Sequence, residues 1–86
     1  MDPENIAVIG GAGRVGLGMS IVLANAGFNT YAVDLNQSRN TEIMSGRMPH
    51  LEEEGPESLT SALSAGRLKM TTKYDVIVDC STIVVM

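Results

Sequence analysis

Aromatic side chains are scarce. The 86 residues include two tyrosines, one phenylalanine and no tryptophan, so a core has to come from Ile, Val, Leu, Met and Ala. Cations are scarce too. Six Lys and Arg face ten Asp and Glu, for a net charge of −4, and no basic cluster forms, which argues against a nucleic-acid or anionic-membrane surface. The one cysteine, Cys80, has no partner for an internal disulfide, as suits a reducing compartment. Long apolar runs are also missing. No segment reaches membrane-spanning length, and the first apolar run, Ile6 to Ile9, lacks the basic flank of a signal peptide and leads directly into glycines. The expected location is the cytoplasm. At this length the chain is at most one small domain, and its 44% hydrophobic content is ordinary for a globular protein.

What is present is concentrated between residues 6 and 34. Ile6-Ala7-Val8-Ile9 is an apolar run, Gly11-Ala12-Gly13-Arg14-Val15-Gly16 is a G-x-G-x-x-G turn, and Asp34 closes a second apolar run. Glycines of this spacing alone mean little. Strand before, helix after and an acid about 20 residues on together make the dinucleotide fingerprint. Gly11 is expected to permit the tight turn, Gly13 to let the backbone approach a pyrophosphate, and Gly16 to let the helix pack closely on the strand. The helix then directs free N–H groups and the positive end of its dipole at the phosphates. Asp34 is placed to accept hydrogen bonds from the adenosine ribose and to repel a 2′-phosphate, which favours NAD over NADP. Arg14 and Arg39 are the cations that could counter that preference.

Strands and helices alternate along the chain. The pattern predicts strands over Ile6–Ile9, Thr30–Val33, Leu68–Thr71 and Thr82–Met86. It predicts helices from Arg14 to Ala26, from an Asn36 cap to Ser45, and from Pro56 to Ala65, with Gly27, Gly46 and Gly66 as stops. Asp75 to Asp79 reads as a short helical turn. In the first helix Val15, Met19, Val22, Leu23 and Ala26 stand at helical spacing and are expected to face inward. This order predicts an α/β fold, a Rossmann-type doubly wound parallel sheet of about four strands with right-handed crossovers. A buried parallel strand ordinarily has neighbours and a following loop, so the end on Ile83-Val84-Val85-Met86 reads as the N-terminal part of a larger dinucleotide-binding domain.

Beyond the fingerprint, Gly11 to Leu17, Val33-Asp34-Leu35-Asn36, Ser45-Gly46-Arg47-Met48-Pro49, Glu52-Glu53-Glu54-Gly55 and Gly66-Arg67-Leu68 with Thr71-Thr72 follow one another in order. Together they resemble the N-terminal region of the UDP-glucose/GDP-mannose dehydrogenase family, the nucleotide-sugar 6-dehydrogenases. The resemblance spans nearly the whole chain. It implies an NAD-dependent oxidoreductase that takes the C6 hydroxymethyl of a UDP-sugar, UDP-glucose or a similar one, to the carboxylate while two NAD⁺ are reduced. It implies that Gly11, Ala12, Gly13, Arg14, Val15 and Gly16 hold the pyrophosphate, and that Asp34 and Arg39 lie at the adenosine ribose. It also places the family's cysteine nucleophile, lysine and sugar-nucleotide contacts downstream of Met86, so this chain alone is expected to be inactive. The expected partners are NAD, a UDP-sugar held by the missing domains, and further copies in a homo-oligomer. Arg14 departs from the aromatic residue many members carry, Gly18 from a common proline, Gly10 adds a glycine ahead of the turn, and the acidic loop is one residue longer near Glu54.

Two other functions share parts of this pattern. A non-enzymatic NAD-sensing regulatory module can carry the same Gly-Ala-Gly-Arg-Val-Gly turn, but reaches its third strand without the Met48 to Ala65 insertion. An extended short-chain dehydrogenase or epimerase fits Gly10, Gly13 and Gly16 read as G-x-x-G-x-x-G, but not the Gly46 to Thr72 series. The remaining conspicuous residues have plain explanations. Cys80 reads as a small buried thiol, His50 as a surface or packing residue, and Glu52 to Glu54 as a solvated acidic approach to a helix. Met19, Met44, Met48, Met70 and Met86 read as core filler, and no metal site is expected.

Overall fold

The computed structural model describes residues 4–48 and 55–86. In chain order it has β1 (Asn5–Ile9), α1 (Arg14–Asn25), β2 (Asn29–Val33), α2 (Gln37–Met44), α3 (Gly55–Ser64), β3 (Leu68–Thr71), a 3₁₀ segment (Tyr74–Asp79) and β4 (Thr82–Val85). Every predicted element is present, and the boundaries differ by a residue or two, the usual fraying of element ends. The predictions for His50 and Glu52 to Glu54 lie outside the described residues.

The four strands form one sheet in the order β3-β2-β1-β4. All pairings are parallel, with Val8 opposite Ala32 and Val84, and Ala32 opposite Met70. The chain steps outward from β1 to β2 to β3 and then returns to the far side of β1, so the strand order reverses between β1 and β4. That reversal defines the switch point of a doubly wound sheet, where ligands of such folds collect beyond the carboxyl ends of the strands. β1 lies between two neighbours. Its Ile6, Ala7 and Val8 are accordingly buried.

The core is aliphatic, as the shortage of aromatics requires. Leu17, Ile21 and Ala24 of α1, Ile43 of α2, and Leu59 and Ala62 of α3 pack with Ala32 of β2 and Leu68 of β3. This corrects the expected inner face of α1. Gly16, Leu17, Ser20, Ile21 and Ala24 face inward, whereas Val15 and Val22 are 63% and 53% exposed. The cause is Gly16, whose Cα must lie against the preceding turn; that contact sets the rotation of the helix and brings the residues one, four and five positions on to the sheet. Ser20 is tolerated inside because its Oγ donates to the Gly16 carbonyl at 2.7 Å. The methionines need correction as well. Met48 and Met70 pack against the core, but Met19, Met44 and Met86 are exposed.

Candidate functional site

β1 ends at Ile9 and the chain turns at once. Gly10 takes φ +82°, the left-handed region open mainly to glycine, so Gly10 makes the tight turn assigned above to Gly11. Gly11 has another task. A Cβ there would lie 2.4 Å from the Ala32 Cβ, so its missing side chain lets the turn cross β2. The sequence signal for Gly10 was the second reading of the glycines, the G-x-x-G-x-x-G that begins with it.

Gly13 is the N-cap of α1, and a Cβ there meets only the Gly10 carbonyl oxygen, at 3.4 Å. The space beside it is open. Gly16 is the opposite case, since a Cβ would fall 2.2 Å from the same oxygen. Neither a capping side chain nor an acid neutralises the first turn of α1. The N–H groups of Val15 and Gly16 have no hydrogen-bond partner among the described residues, as the start of an α-helix dictates. An open face, unpaired N–H groups and an uncompensated dipole together make a cradle for an anion.

Asp34 follows β2 and is held at four atoms. Its N–H donates to the Thr71 carbonyl at 2.9 Å, and its own carbonyl accepts from Asn40 Nδ2 at 2.9 Å. Its Oδ1 accepts from the Asn36 N–H at 3.0 Å, and its Oδ2 from the Ala12 N–H at 3.1 Å. The last bond ties the acid to the glycine turn. Ala12 therefore enters the site through Asp34, with its N–H turned to the carboxylate. Asn36 caps α2 as expected, its side chain accepting from the Arg39 N–H at 3.0 Å. Arg39 thus stands in the first turn of α2, half-buried, while Arg14 and Val15 lie exposed at the mouth of the turn.

The structure therefore gathers Gly11 to Gly16, Asp34 and Arg39 at the carboxyl ends of β1 and β2. Sequence reasoning missed Asn40, which is 2% exposed and leaves its Oδ1 without a partner. Its signal was position: three residues before the buried Ile43, it shares the inner face of α2.

Cys80 lies elsewhere. Ser81 pairs with the Asn5 carbonyl at the amino end of the sheet, so Cys80 is about one strand length, roughly 15 Å, from the glycine turn. It is half-buried rather than buried, and its Sγ donates to the Val76 carbonyl at 3.4 Å. Burial first and the neighbouring Asp79 charge second push the thiol above its ordinary pKa, the reverse of what a nucleophile needs. Among the described residues no three His, Cys, Asp or Glu side chains gather as a metal site, and no helix is long and apolar enough to cross a membrane.

The same fold recurs in solved structures. A UDP-glucose dehydrogenase from Pyrobaculum islandicum superposes with a TM-score of 0.88 at 25% identity, covering 96% of this chain and 19% of that one. A UDP-D-ManNAc dehydrogenase from Pyrococcus horikoshii gives 0.87 at 28% identity, covering 95% of this chain and 19% of that one. A GDP-mannose dehydrogenase from Pseudomonas aeruginosa, at 24% identity and 0.87, shares the fold over 94% of this chain and 19% of its own. An uncharacterized protein of Methanocaldococcus jannaschii is 38% identical over 79 residues, which are 92% of this chain and 9% of that protein. The chain thus spans about a fifth or less of the proteins it matches. Residues 4–86 match the NAD binding domain of the UDP-glucose/GDP-mannose dehydrogenase family, and the chain belongs to that family.

Proposed function

We propose that Gly11, Ala12, Gly13, Arg14, Val15 and Gly16 form the pyrophosphate cradle and that Asp34 and Arg39 contact the adenosine ribose of NAD. The observation that carries this reading is the Asp34 Oδ2 bond to the Ala12 N–H at 3.1 Å, which makes the phosphate turn and the ribose acid one unit. A ligand spanning both must present a phosphate next to a ribose diol. The open side of Gly13 and the N–H groups of Val15 and Gly16, without a partner among the described residues, fit the phosphate, and the carboxylate fits the diol. When bound, the nicotinamide supplies a hydride acceptor.

The whole protein, in this proposal, oxidises the C6 hydroxymethyl of a UDP-sugar to a carboxylate. The family and the solved neighbours, among them a UDP-glucose and a UDP-D-ManNAc dehydrogenase, support a sugar nucleotide as substrate. Substrate contacts and catalytic residues lie beyond Met86, and the protein acts as a cytoplasmic homo-oligomer. Titrating NAD⁺ and NADP⁺ against the wild type and Asp34→Ala tests the site. Preference for NAD⁺ by about tenfold or more, equivalent to about 1.4 kcal/mol, is expected in the wild type and should largely vanish in Asp34→Ala. Equal affinities in the wild type would refute the assignment of Asp34.

A further inference from the structure

The geometry points to Asn40 as the positioning residue that holds Asp34 in register for the adenosine ribose, and so as a determinant of NAD over NADP selectivity. The inference rests on the cofactor site proposed above. Asn40 lies on the inner face of α2, 2% exposed, and its Nδ2 donates to the Asp34 carbonyl at 2.9 Å. A carbonyl oxygen only accepts, so the amide must present its nitrogen there. Its Oδ1 then points into the interior with no partner among the described residues.

As a core residue Asn40 is a poor choice. A branched apolar side chain would fill the same place without an unpaired acceptor, because burying a polar atom with no partner is unfavourable. What only the amide supplies at this position is its N–H. That bond matters because of where it lands. Asp34 sits at the point where β2 gives way to the corner before α2; its N–H is held by Thr71 and its carbonyl by Asn40, so the two bonds fix the peptide planes on either side of its Cα. The carboxylate takes part of its direction from those planes and part from the Ala12 and Asn36 N–H groups. Without Asn40 the Asp34–Leu35 peptide loses one of the bonds that orient it, and the carboxylate is aimed less closely at the ribose 2′ position.

The test compares the purified protein with Asn40→Leu, which keeps the branched outline of the side chain, and Asn40→Ser, which stays polar but is too short to reach the Asp34 carbonyl. Equilibrium dissociation constants for NAD⁺ and NADP⁺ are measured alongside Tm. In both variants the NAD⁺ constant is expected to rise about 3- to 10-fold, the worth of one hydrogen bond, while that for NADP⁺ stays within about twofold, so the ratio falls. Asn40→Leu is expected to melt at or above the wild-type temperature, because the unpaired acceptor is gone. A lower Tm with both constants unchanged would show a purely structural residue and overturn the inference, as would an equal rise for both cofactors. Asp34→Ala measured in parallel separates the two levels. If that variant keeps the wild-type ratio, the ribose assignment itself fails; if it loses the ratio while the Asn40 variants retain it, only the role of Asn40 fails.

Discussion

A methyl group added at Gly13 and one added at Gly16 meet different surroundings. Gly13 has φ −71° and ψ 168°, extended backbone that any residue adopts, and the new carbon would sit 3.4 Å from the Gly10 carbonyl oxygen, an ordinary contact. Gly13→Ala is therefore expected to fold with a stability within about 0.5 kcal/mol of wild type. The same carbon occupies the open face where a pyrophosphate would approach. Affinity for NAD⁺ should fall about tenfold or more in Gly13→Ala, about 1.4 kcal/mol, and binding should be lost in Gly13→Val. At Gly16 the methyl would fall 2.2 Å from the Gly10 carbonyl oxygen and 2.9 Å from its carbon. Both atoms are backbone and cannot swing aside. Gly16→Ala must push α1 off the turn, which costs about 1–3 kcal/mol, the range for overpacking, and lowers Tm by roughly 4–20 °C. Thermal melts followed by circular dichroism and calorimetric titration with NAD⁺ separate the two. Gly13→Val binding NAD⁺ like wild type would refute the placement of the phosphate, and a wild-type Tm in Gly16→Ala would refute the packing argument.

Two further outcomes follow from burial and charge. Ile21→Ala, at a fully buried site, is expected to cost about 2–5 kcal/mol in denaturant unfolding, whereas Val22→Ala beside it is expected to change stability by less than about 0.5 kcal/mol. A larger loss at Val22 would mean that the rotation of α1 has been misread. Cys80 is expected to alkylate more slowly at pH 8 than a small free thiol, because burial and then Asp79 raise its pKa and deplete the thiolate. Asp79→Asn should speed the reaction slightly, and Cys80→Ser should leave NAD⁺ affinity unchanged; loss of binding in Cys80→Ser would contradict its placement at the far end of the sheet.

How much of this was legible in the sequence depends on how local each cause is. The fingerprint could be read because a turn crossing a strand and a helix pressed on a turn each demand glycine at one position, at Gly11 and Gly16. Helix stops and the Asn36 cap are local in the same way. The inner face of α1 was not legible. From Val15 to Leu23 the helix is apolar on nearly every side, with no charge to mark the outer face, so periodicity could not choose between Val15-Met19-Val22 and Leu17-Ile21-Ala24. The choice is made by Gly16 against Gly10, a contact the spacing does not display. Assigning the turn to Gly11 failed for a related reason: two adjacent glycines split the work, one supplying the positive φ and the other the close approach to Ala32.

Asn40 was missed because, beyond its place three residues before Ile43, its importance is tertiary. In sequence it is a polar residue inside a polar helix, between Arg39 and Thr41; only the docking of α2 beside β3 buries it behind Asp34. The consequence reaches the logic of the site. A carboxylate exposed on a loop would distinguish a ribose hydroxyl from a phosphate by charge alone, a distinction that salt weakens. Here the carboxylate is held by bonds from the glycine turn, the third strand and the second helix, so in the proposed site it would discriminate by geometry as well. A geometric preference survives screening. The NAD⁺ to NADP⁺ selectivity of the wild type should therefore persist in about 0.5 M salt, where the Debye length falls to roughly 4 Å. Selectivity that collapses to the level of Asp34→Ala under those conditions would show that charge alone carries it, and that the four bonds on Asp34 serve the fold rather than the ligand.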